Sequence, residues 1–265
     1  MTRLALGVEY NGASFSGWQS QIGVATVQDA VQHALSYVAD EPIHVVAAGR
    51  TDAGVHALCQ VIHFDTTRDR RPDAFVRGAN SHLSRDVSVL WARCVADDFH
   101  ARFSALGRTY RYVILNRRVR PGLWASRVSF DYRPLDIGCM QEAALALLGR
   151  HDFTSFRASQ CQAKSPVRTL RRLSIERSGP FVIMTVEADA FLHHMVRNIA
   201  GVLTAIGAGV RPTSWALQVL EARDRGLGGL TATPDGLYFQ AVRYPDHYGL
   251  PAPDDVAGPW TGLRL

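Results

Sequence analysis

The residues best suited to chemistry lie in one glycine-bounded segment, A-A-G-R-T-D-A-G-V-H-A, from Ala47 to Ala57. Within it, Asp52 follows Arg50 by two positions and lies between Gly49 and Gly54. Glycines permit loop conformations that expose a side chain at the tip of a turn. A nearby guanidinium favours an ionised carboxylate, which can act as a nucleophile at neutral pH. The pattern also fits an ordinary turn whose carboxylate binds local backbone amides, so Asp52 is a candidate nucleophile without an assigned reaction.

Two further side chains are candidates for a site. Tyr110 lies on a predicted strand, where it is either a core aromatic with a peripheral hydroxyl or a stacking surface for a nucleic-acid base. Arg197 lies near the start of a predicted helix that begins at Phe191, with His193 four residues earlier on the same face. Adjacent histidines on a helix point in different directions and are poor ligands for one metal. A partly buried Arg197 needs an anionic partner, for which Asp52 is a candidate.

The spacing of apolar residues predicts the elements that position these side chains. A helix opened by Thr26 and extending to Val38 has its apolar residues on one stripe, with Asp29 in the capping-box position. The remaining predicted strands are Arg3–Tyr10, Ile43–Ala48, Leu58–Phe64, Val87–Val95, Leu106–Leu115, Leu170–Glu176, Phe181–Ala188 and Leu237–Tyr244. The remaining predicted helices are Pro72–Leu83, Asp136–Leu148, Phe191–Ile206 and Thr213–Ala222.

Each half of the chain therefore has a strand, an amphipathic helix and then further strands. This order predicts two similar α/β subdomains, residues 1–104 and 105–265, flanking a cleft.

Composition limits the class of protein and of partner. The chain has 265 residues, 47% hydrophobic and 20% charged, and a net charge of +5, which is typical of a soluble globular protein. No apolar stretch is long enough to span a membrane, and no secretory signal is visible. The four cysteines are scattered without a C-x-x-C pair, which predicts reduced, mostly buried thiols in a cytoplasmic protein and no metal site.

Arginine supplies nearly all the positive charge, since Lys164 is the only lysine. Codon bias explains this excess as well as a role in phosphate recognition does. The arginines form three short clusters that could contact a polyanion or simply be solvated: 68, 70 and 71; 117, 118 and 120; 168, 171 and 172.

Ordered segments along nearly the whole chain resemble the TruA family of tRNA pseudouridine synthases. G-R-T-D-A-G-V-H-A resembles that family's active-site motif. The other segments are Y-N-G-A-S-F-S-G-W-Q-S-Q, T-V-Q, D-D-F-H-A-R-F-S-A-L-G-R-T-Y-R-Y, S-P-V-R-T-L, F-L-H-H-M-V-R-N-I and P-D-G-L-Y-F. The departures are Asn11, where an aspartate is usual, and Ser84, where a proline is usual. They affect the expected loop geometry and not the expected chemistry.

The resemblance implies an α+β pseudouridine synthase fold with largely antiparallel mixed sheets, helices on one side and a central cleft. It implies isomerisation of uridine at positions 38, 39 and/or 40 in the anticodon arm of tRNA, without a cofactor or metal, by a homodimer. Asp52 is then the nucleophile, attacking either C6 of the base or C1′ of the ribose. Tyr110 stacks on the base and Arg197 keeps Asp52 ionised. Arg50 holds or replaces the flipped nucleotide, and Leu237 forms a wall of the pocket.

Two rival interpretations predict different behaviour. A non-catalytic RNA-binding module would keep the basic clusters and tolerate Asp52→Asn. An unrelated enzyme with an aspartate nucleophile, such as a glycosidase or phosphatase, needs a second positioned carboxylate or a metal site. Neither is visible in the sequence around Asp52.

Overall fold

The computed structural model describes residues 1–251. The end of the predicted second half, residues 252–265, lies outside the described residues. Within the described chain the fold is mixed α+β and forms two compact units: the first unit, residues 1–106 with 238–251, and the second unit, residues 107–237. In the part that the structure describes, no helix is long and apolar enough to cross a membrane.

The first unit is a mostly antiparallel sheet with two helices. Its strands are β1 (Thr2–Tyr10), β2 (Val46–Ala47), β3 (His56–Thr66), β4 (Val87–Cys94) and, from Tyr238 onward, β10 (Leu237–Arg243). Its helices are α1 (Val27–Ala39) and α2 (Pro72–His82). The strand order is β4-β1-β3-β10, with β2 paired to β3. Only β10 pairs with β3 in parallel, through Tyr238 opposite His56. The rings of Phe64 on β3 and Phe75 on α2 are 5.3 Å apart, so this face of the sheet forms the core with the helices.

The second unit also consists of a mostly antiparallel sheet with helices. Its strands are β5 (Gly107–Asn116), β6 (Ser129–Asp131), β7 (Gly149–Asp152), β8 (Val167–Ser178) and β9 (Phe181–Ala188), and its helices are α3 (Ile137–Leu145), α4 (Met195–Gly207) and α5 (Trp215–Ala222). The strand order is β5-β9-β8-β7, all antiparallel, and β6 pairs with β5 in parallel. Helix α4 packs against α3, α5 and β5, and its apolar stripe is buried.

Most predicted elements are confirmed within a few residues. Thr26 is the N-cap of α1 and its hydroxyl accepts from the Asp29 N–H, as the capping pattern predicts. Asp136 likewise caps α3. The predicted hairpin of β8 and β9 pairs Ser178 with Phe181 across a two-residue turn.

The predicted strand Ile43–Ala48 is largely wrong, because only Val46–Ala47 pairs with β3. The preceding backbone N–H groups bind side chains of α1 instead of a neighbouring strand. Ile43 N–H donates to Ser36 Oγ at 2.8 Å, and Val45 N–H donates to Gln32 Oε1 at 3.1 Å. Side-chain acceptors on the helix therefore replace the ladder that the apolar run suggested.

The predicted start of α4 at Phe191 is also wrong. The helix begins at Met195, because His194 has the left-handed backbone conformation, with φ of 61°. A left-handed residue cannot continue a right-handed helix, so His193 and Arg197 do not form the predicted pair on one helical face. The prediction of mostly buried cysteines is wrong as well, because only Cys59 is buried and Cys94 is exposed.

Candidate active site

Asp52 lies in a tight turn between β2 and β3. The Val55 N–H donates to the Asp52 carbonyl at 3.1 Å, and Gly54 has φ of +78°, a conformation that favours glycine. The Gln60 side chain donates to the Gly49 carbonyl at 2.7 Å and fixes the start of the loop. The Asp52 side chain is half-buried. The backbone of this loop is therefore held in place around a carboxylate that solvent still reaches.

The N-terminal loop packs directly on the Asp52 loop through two glycines. A Cβ on Gly12 would lie 2.0 Å from the Val55 carbonyl oxygen, and one on Gly17 would lie 2.7 Å from the Thr51 carbonyl oxygen. The Trp18 N–H donates to that same Thr51 oxygen at 3.0 Å. Contacts this short leave no space for a side chain. The string Y-N-G-A-S-F-S-G-W therefore forms a backbone support for the candidate nucleophile.

Asn11, the departure from the family pattern, stabilises the start of this N-terminal loop. Its amide nitrogen donates to Asp86 Oδ1 at 2.9 Å, and its Oδ1 accepts from the Ala13 N–H at 3.2 Å. An aspartate at this position could not donate to Asp86. The amide thus suits its local partners.

His56 and Tyr10 are supporting residues that the sequence analysis did not identify. His56 is buried, its Nδ1 accepts from the Gly12 N–H at 3.0 Å, and its ring stacks on Tyr238 at 4.7 Å between centroids. The Tyr10 hydroxyl binds Thr51 Oγ1 at 2.8 Å, and burial raises the pKa of this phenol. His56 lies inside the string G-R-T-D-A-G-V-H-A, which was the available signal for it.

Arg50 does not form the ion pair with Asp52 that their spacing suggested. Its side chain is exposed, and it makes no hydrogen bond or ion pair with any other residue from 1 to 251. The loop carries both residues, but the guanidinium points toward solvent. Arg50 therefore retains its hydrogen-bonding capacity for a ligand.

Tyr110 lies on β5 of the second unit, opposite Val186 of β9. Its ring meets the Phe191 ring edge-on at 4.9 Å, and the residue is 9% exposed. Edge-on packing restricts the ring orientation. The side chain has a defined position rather than the freedom of a surface tyrosine.

Arg197 lies in the first turn of α4 and is half-buried. Its Nε donates to the Ala232 carbonyl at 2.7 Å, and the Ala232 N–H donates to the Arg197 carbonyl at 3.1 Å. Gly201, one turn later, allows this approach, since a Cβ there would lie 1.9 Å from the Leu230 oxygen. The segment 229–232 therefore orients the Arg197 guanidinium.

Asn198, beside Arg197, is the centre of a buried polar network that the sequence analysis missed. It is 2% exposed, donates to the Phe156 carbonyl at 2.7 Å, and accepts from Arg225 at 3.1 Å and from Thr231 Oγ1 at 2.7 Å. Buried amides are stable where their hydrogen bonds are satisfied. This network fixes the first turn of α4 and thus the backbone of Arg197.

Leu237 is the first residue of β10, and its side chain is 5% exposed. The preceding turn, residues 233–236, packs on β5 within the second unit, because a Cβ on Gly236 would lie 2.6 Å from the Val113 oxygen, and the Tyr112 hydroxyl donates to the Thr233 carbonyl at 2.9 Å. The P-D-G sequence thus allows a close contact with β5 and β6.

The first residue of each arginine cluster makes a defined polar contact, although Arg68 and Arg117 are exposed. Arg68 binds Asp40, Arg117 donates to the Val119 and Arg120 carbonyls, and Arg168 donates to the Ser165 and Val167 carbonyls. The others are exposed: Arg70, Arg71, Arg118, Arg120, Arg171 and Arg172. The first residue of each cluster therefore shapes its loop while the rest carry surface charge.

Asp52 and Arg50 therefore lie on one loop of the first unit, whereas Tyr110, Arg197 and Leu237 belong to the second unit. Close backbone contacts or buried polar partners hold Asp52, Arg197 and the turn before Leu237, and ring packing holds Tyr110, whereas the Arg50 side chain is exposed. Such preorganisation is a requirement of a catalytic group.

Comparison with known proteins gives a consistent result along the chain. The family model described as tRNA pseudouridine synthase matches residues 7–104 and 143–245. These ranges contain Arg50, Asp52, Arg197 and Leu237, whereas Tyr110 lies between them.

Curated relatives cover the chain more completely, Tyr110 region included. A tRNA pseudouridine synthase A from Nitrosococcus oceani is 56% identical over 249 residues, which is 94% of this chain and 96% of the relative. The protein of that name from Pseudomonas aeruginosa is 56% identical over 252 residues, 95% of this chain and 88% of the relative. The one from Alcanivorax borkumensis is 52% identical over 267 residues, 100% of this chain and 99% of the relative.

Proposed function

The chain belongs to the tRNA pseudouridine synthase family, and from that premise we propose that Asp52 is the nucleophile with which it acts on the anticodon arm of tRNA. The enzyme isomerises uridine in tRNA to pseudouridine. Its targets are the uridines at positions 38, 39 and/or 40. The observation that carries this proposal is the G-R-T-D-A-G-V-H-A loop, whose carboxylate is half-buried on a backbone fixed by Gly12 and Gly17.

The reaction is an isomerisation in which atoms balance within the nucleotide. The N1–C1′ bond breaks, a C5–C1′ bond forms, the proton on C5 leaves and N1 gains a proton. Attack by the Asp52 carboxylate at C6 of the base or at C1′ of the ribose can begin this sequence. No external group or electron is transferred, so the proposed chemistry needs no cofactor.

The target uridine has to leave the stack before it reacts, at a cost of a few kcal/mol. Arg50 suits the task of holding the flipped phosphate or filling the vacated space, because its exposed guanidinium has no partner within residues 1–251. Tyr110 is the stacking surface for the base, and its hydroxyl is the proposed acceptor of the C5 proton.

Arg197 is the proposed cation that keeps the Asp52 carboxylate ionised, and Leu237 the proposed apolar wall against the base. Support for Arg197 comes from its fixed orientation, since its Nε is bound to the Ala232 carbonyl. A guanidinium fixed in this way provides positive charge without reorganisation during the reaction.

The enzyme acts as a cytoplasmic homodimer in this proposal, with tRNA phosphates bound by the exposed arginines of the three clusters. Such binding weakens steeply as salt increases, because each phosphate contact releases counterions. A dissociation constant that stays the same between low and moderate salt would contradict this part of the proposal.

The test is tritium release from an unmodified tRNA transcript labelled at C5 of uridine. The wild type and the control Asp69→Asn, an exposed aspartate of the same unit, are expected to release label. Asp52→Asn is expected to bind the tRNA without releasing label. Release by Asp52→Asn at the wild-type rate would exclude Asp52 as nucleophile, and binding without release by the wild type would favour an RNA-binding module.

A further inference from the structure

An arginine-lined cavity lies at the end of β5 in the second unit, far along the strand from Tyr110. Its volume is about 740 Å³, and its lining includes Arg117, Arg118, Arg133, Arg177 and Tyr132. The cavity is within the size range of sites that hold small molecules. No lining residue is acidic.

Asn116 builds the floor of this arginine pocket. Its amide nitrogen donates to the Asp131 and Arg133 carbonyls at 2.9 and 2.7 Å, and its Oδ1 accepts from Arg177 at 3.0 Å. Arg177 also donates to the Leu135 carbonyl at 2.9 Å. The ends of β5, β6 and β8 are therefore tied together, and the Arg177 guanidinium is oriented by neutral acceptors that leave its charge uncompensated.

The other three arginines that line the pocket differ in whether a carboxylate of the protein already neutralises their charge. Asp131 forms a bidentate pair with Arg133, so that charge is neutralised. Arg117 donates to backbone carbonyls, which position it without removing its charge. Arg118 is exposed and makes no hydrogen bond or ion pair with any residue in the described range, 1–251. Three positive charges therefore face a cavity without an acidic lining residue.

Tyr132 adds an aromatic surface to this positive cavity. The residue is 66% exposed, although a large aromatic side chain normally loses most of its surface on folding. Guanidinium groups beside an exposed ring are the combination that binds a phosphodiester together with a stacked base. An acidic protein surface or a free phosphate would pair with the arginines but would not stack on the Tyr132 ring.

We propose that this arginine pocket is a second RNA-binding site, which holds a nucleotide of the tRNA other than the one that is isomerised. Asn116 lies six residues after Tyr110 on β5, which corresponds to roughly 20 Å along a strand. One flipped nucleotide cannot reach both places, so the pocket contacts a separate part of the same RNA. The inference rests on the proposed function of the chain as a tRNA-modifying enzyme.

The test compares Arg118→Gln and Tyr132→Leu with the control Arg150→Gln, an exposed arginine on β7. Dissociation constants for an unmodified tRNA transcript are measured over a range of salt concentrations, together with kcat for tritium release. Arg118→Gln is expected to reduce the salt slope by about one. Tyr132→Leu is expected to weaken binding about tenfold with an unchanged slope. In the tritium-release assay, both should raise the KM for tRNA more than they change kcat, because the pocket binds RNA away from the reacting uridine.

Wild-type affinity and salt slope in both pocket variants would overturn the inference, as would loss of a dimer in either variant by size-exclusion chromatography. Competition by millimolar inorganic phosphate, with no loss of tRNA affinity in Tyr132→Leu, would identify a free-phosphate site and also overturn it. An inactive wild type would instead reject the proposed function, so the two failures are distinguishable.

Discussion

Substituting Gly201 by alanine in α4 has two opposite effects on the stability of the protein: a gain in helix propensity and a clash with a neighbouring carbonyl. Helix propensity alone predicts stabilisation, because alanine is favoured over glycine in a helix interior by about 1 kcal/mol. The structure predicts the reverse. A Cβ at this position would lie 1.9 Å from the Leu230 carbonyl oxygen, whereas real Cβ contacts are essentially never shorter than 3.0 Å. The segment 229–232 must move away from the helix by about an ångström.

That movement breaks contacts as well as relieving the clash. The hydrogen bonds between Arg197 and Ala232, at 2.7 and 3.1 Å, join the same two segments. Overpacking costs about 1–3 kcal/mol, and each lost hydrogen bond costs about 0.5–1.5 kcal/mol. Against a gain of about 1 kcal/mol from propensity, we expect a net loss of about 1–5 kcal/mol in the free energy of unfolding.

Urea unfolding measures the stability, and tritium release from tRNA measures the effect on the proposed role of Arg197. Ala205→Gly in the same helix calibrates the propensity contribution and should destabilise by about 1 kcal/mol. We expect Gly201→Ala to lower kcat as well, since the Arg197 guanidinium loses its backbone acceptor. A more stable Gly201→Ala protein with wild-type kcat would refute the argument that close backbone contact orients Arg197.

Three further changes have definite expected outcomes. Asn198→Leu should lower the free energy of unfolding by about 3–5 kcal/mol in urea, because it leaves the Phe156 carbonyl and other buried groups without partners. Asn198→Asp keeps the side-chain oxygen that accepts from Arg225 and Thr231, so it should lower the free energy of unfolding by less. Thr26→Ala should cost about 1 kcal/mol by removing the cap of α1, and Thr26→Ser should restore it. Burial lowers the pKa of His63 to about 4, and its Nδ1 accepts from the Ala101 N–H. The unfolded chain therefore takes up this proton first, and stability should fall as pH decreases from about 6.5 to about 4. His63→Phe should show a smaller decrease over that range of pH.

The sequence alone predicts the structure correctly where contacts between neighbouring residues of the chain determine it. Helix α1 has both a capping residue, Thr26, and a clear apolar stripe, so its type and start follow from the sequence. The glycines of the Asp52 loop likewise predict a turn that presents one carboxylate. The deciding contacts of the helix start join residues only three positions apart, as does the Val55 N–H to Asp52 carbonyl bond of the turn.

The sequence alone does not predict the structure where contacts between distant residues or unusual backbone conformations determine it. His194 adopts a left-handed conformation that a helical apolar pattern does not reveal, so the start of α4 was misplaced. The N–H groups of Ile43 and Val45 bind α1 side chains, which no strand propensity could show. The parallel pairing of β10 with β3 joins residues more than 180 positions apart, such as His56 and Tyr238.

The strings that carry the family resemblance correspond to backbone packing as much as to reactive groups. Gly12 and Gly17 contact the Asp52 loop, Gly201 contacts the segment that binds Arg197, and Gly236 contacts β5. Gly12, Gly17 and Gly236 lie in these strings, and Gly201 follows F-L-H-H-M-V-R-N-I by two residues. Because a Cβ at any of them would displace a carbonyl by several tenths of an ångström or more, these positions restrict the placement of the chemical groups. We therefore expect substitutions at these glycines to lower kcat even though none of them is proposed to contact the uridine, since small displacements of catalytic groups have large effects on rate.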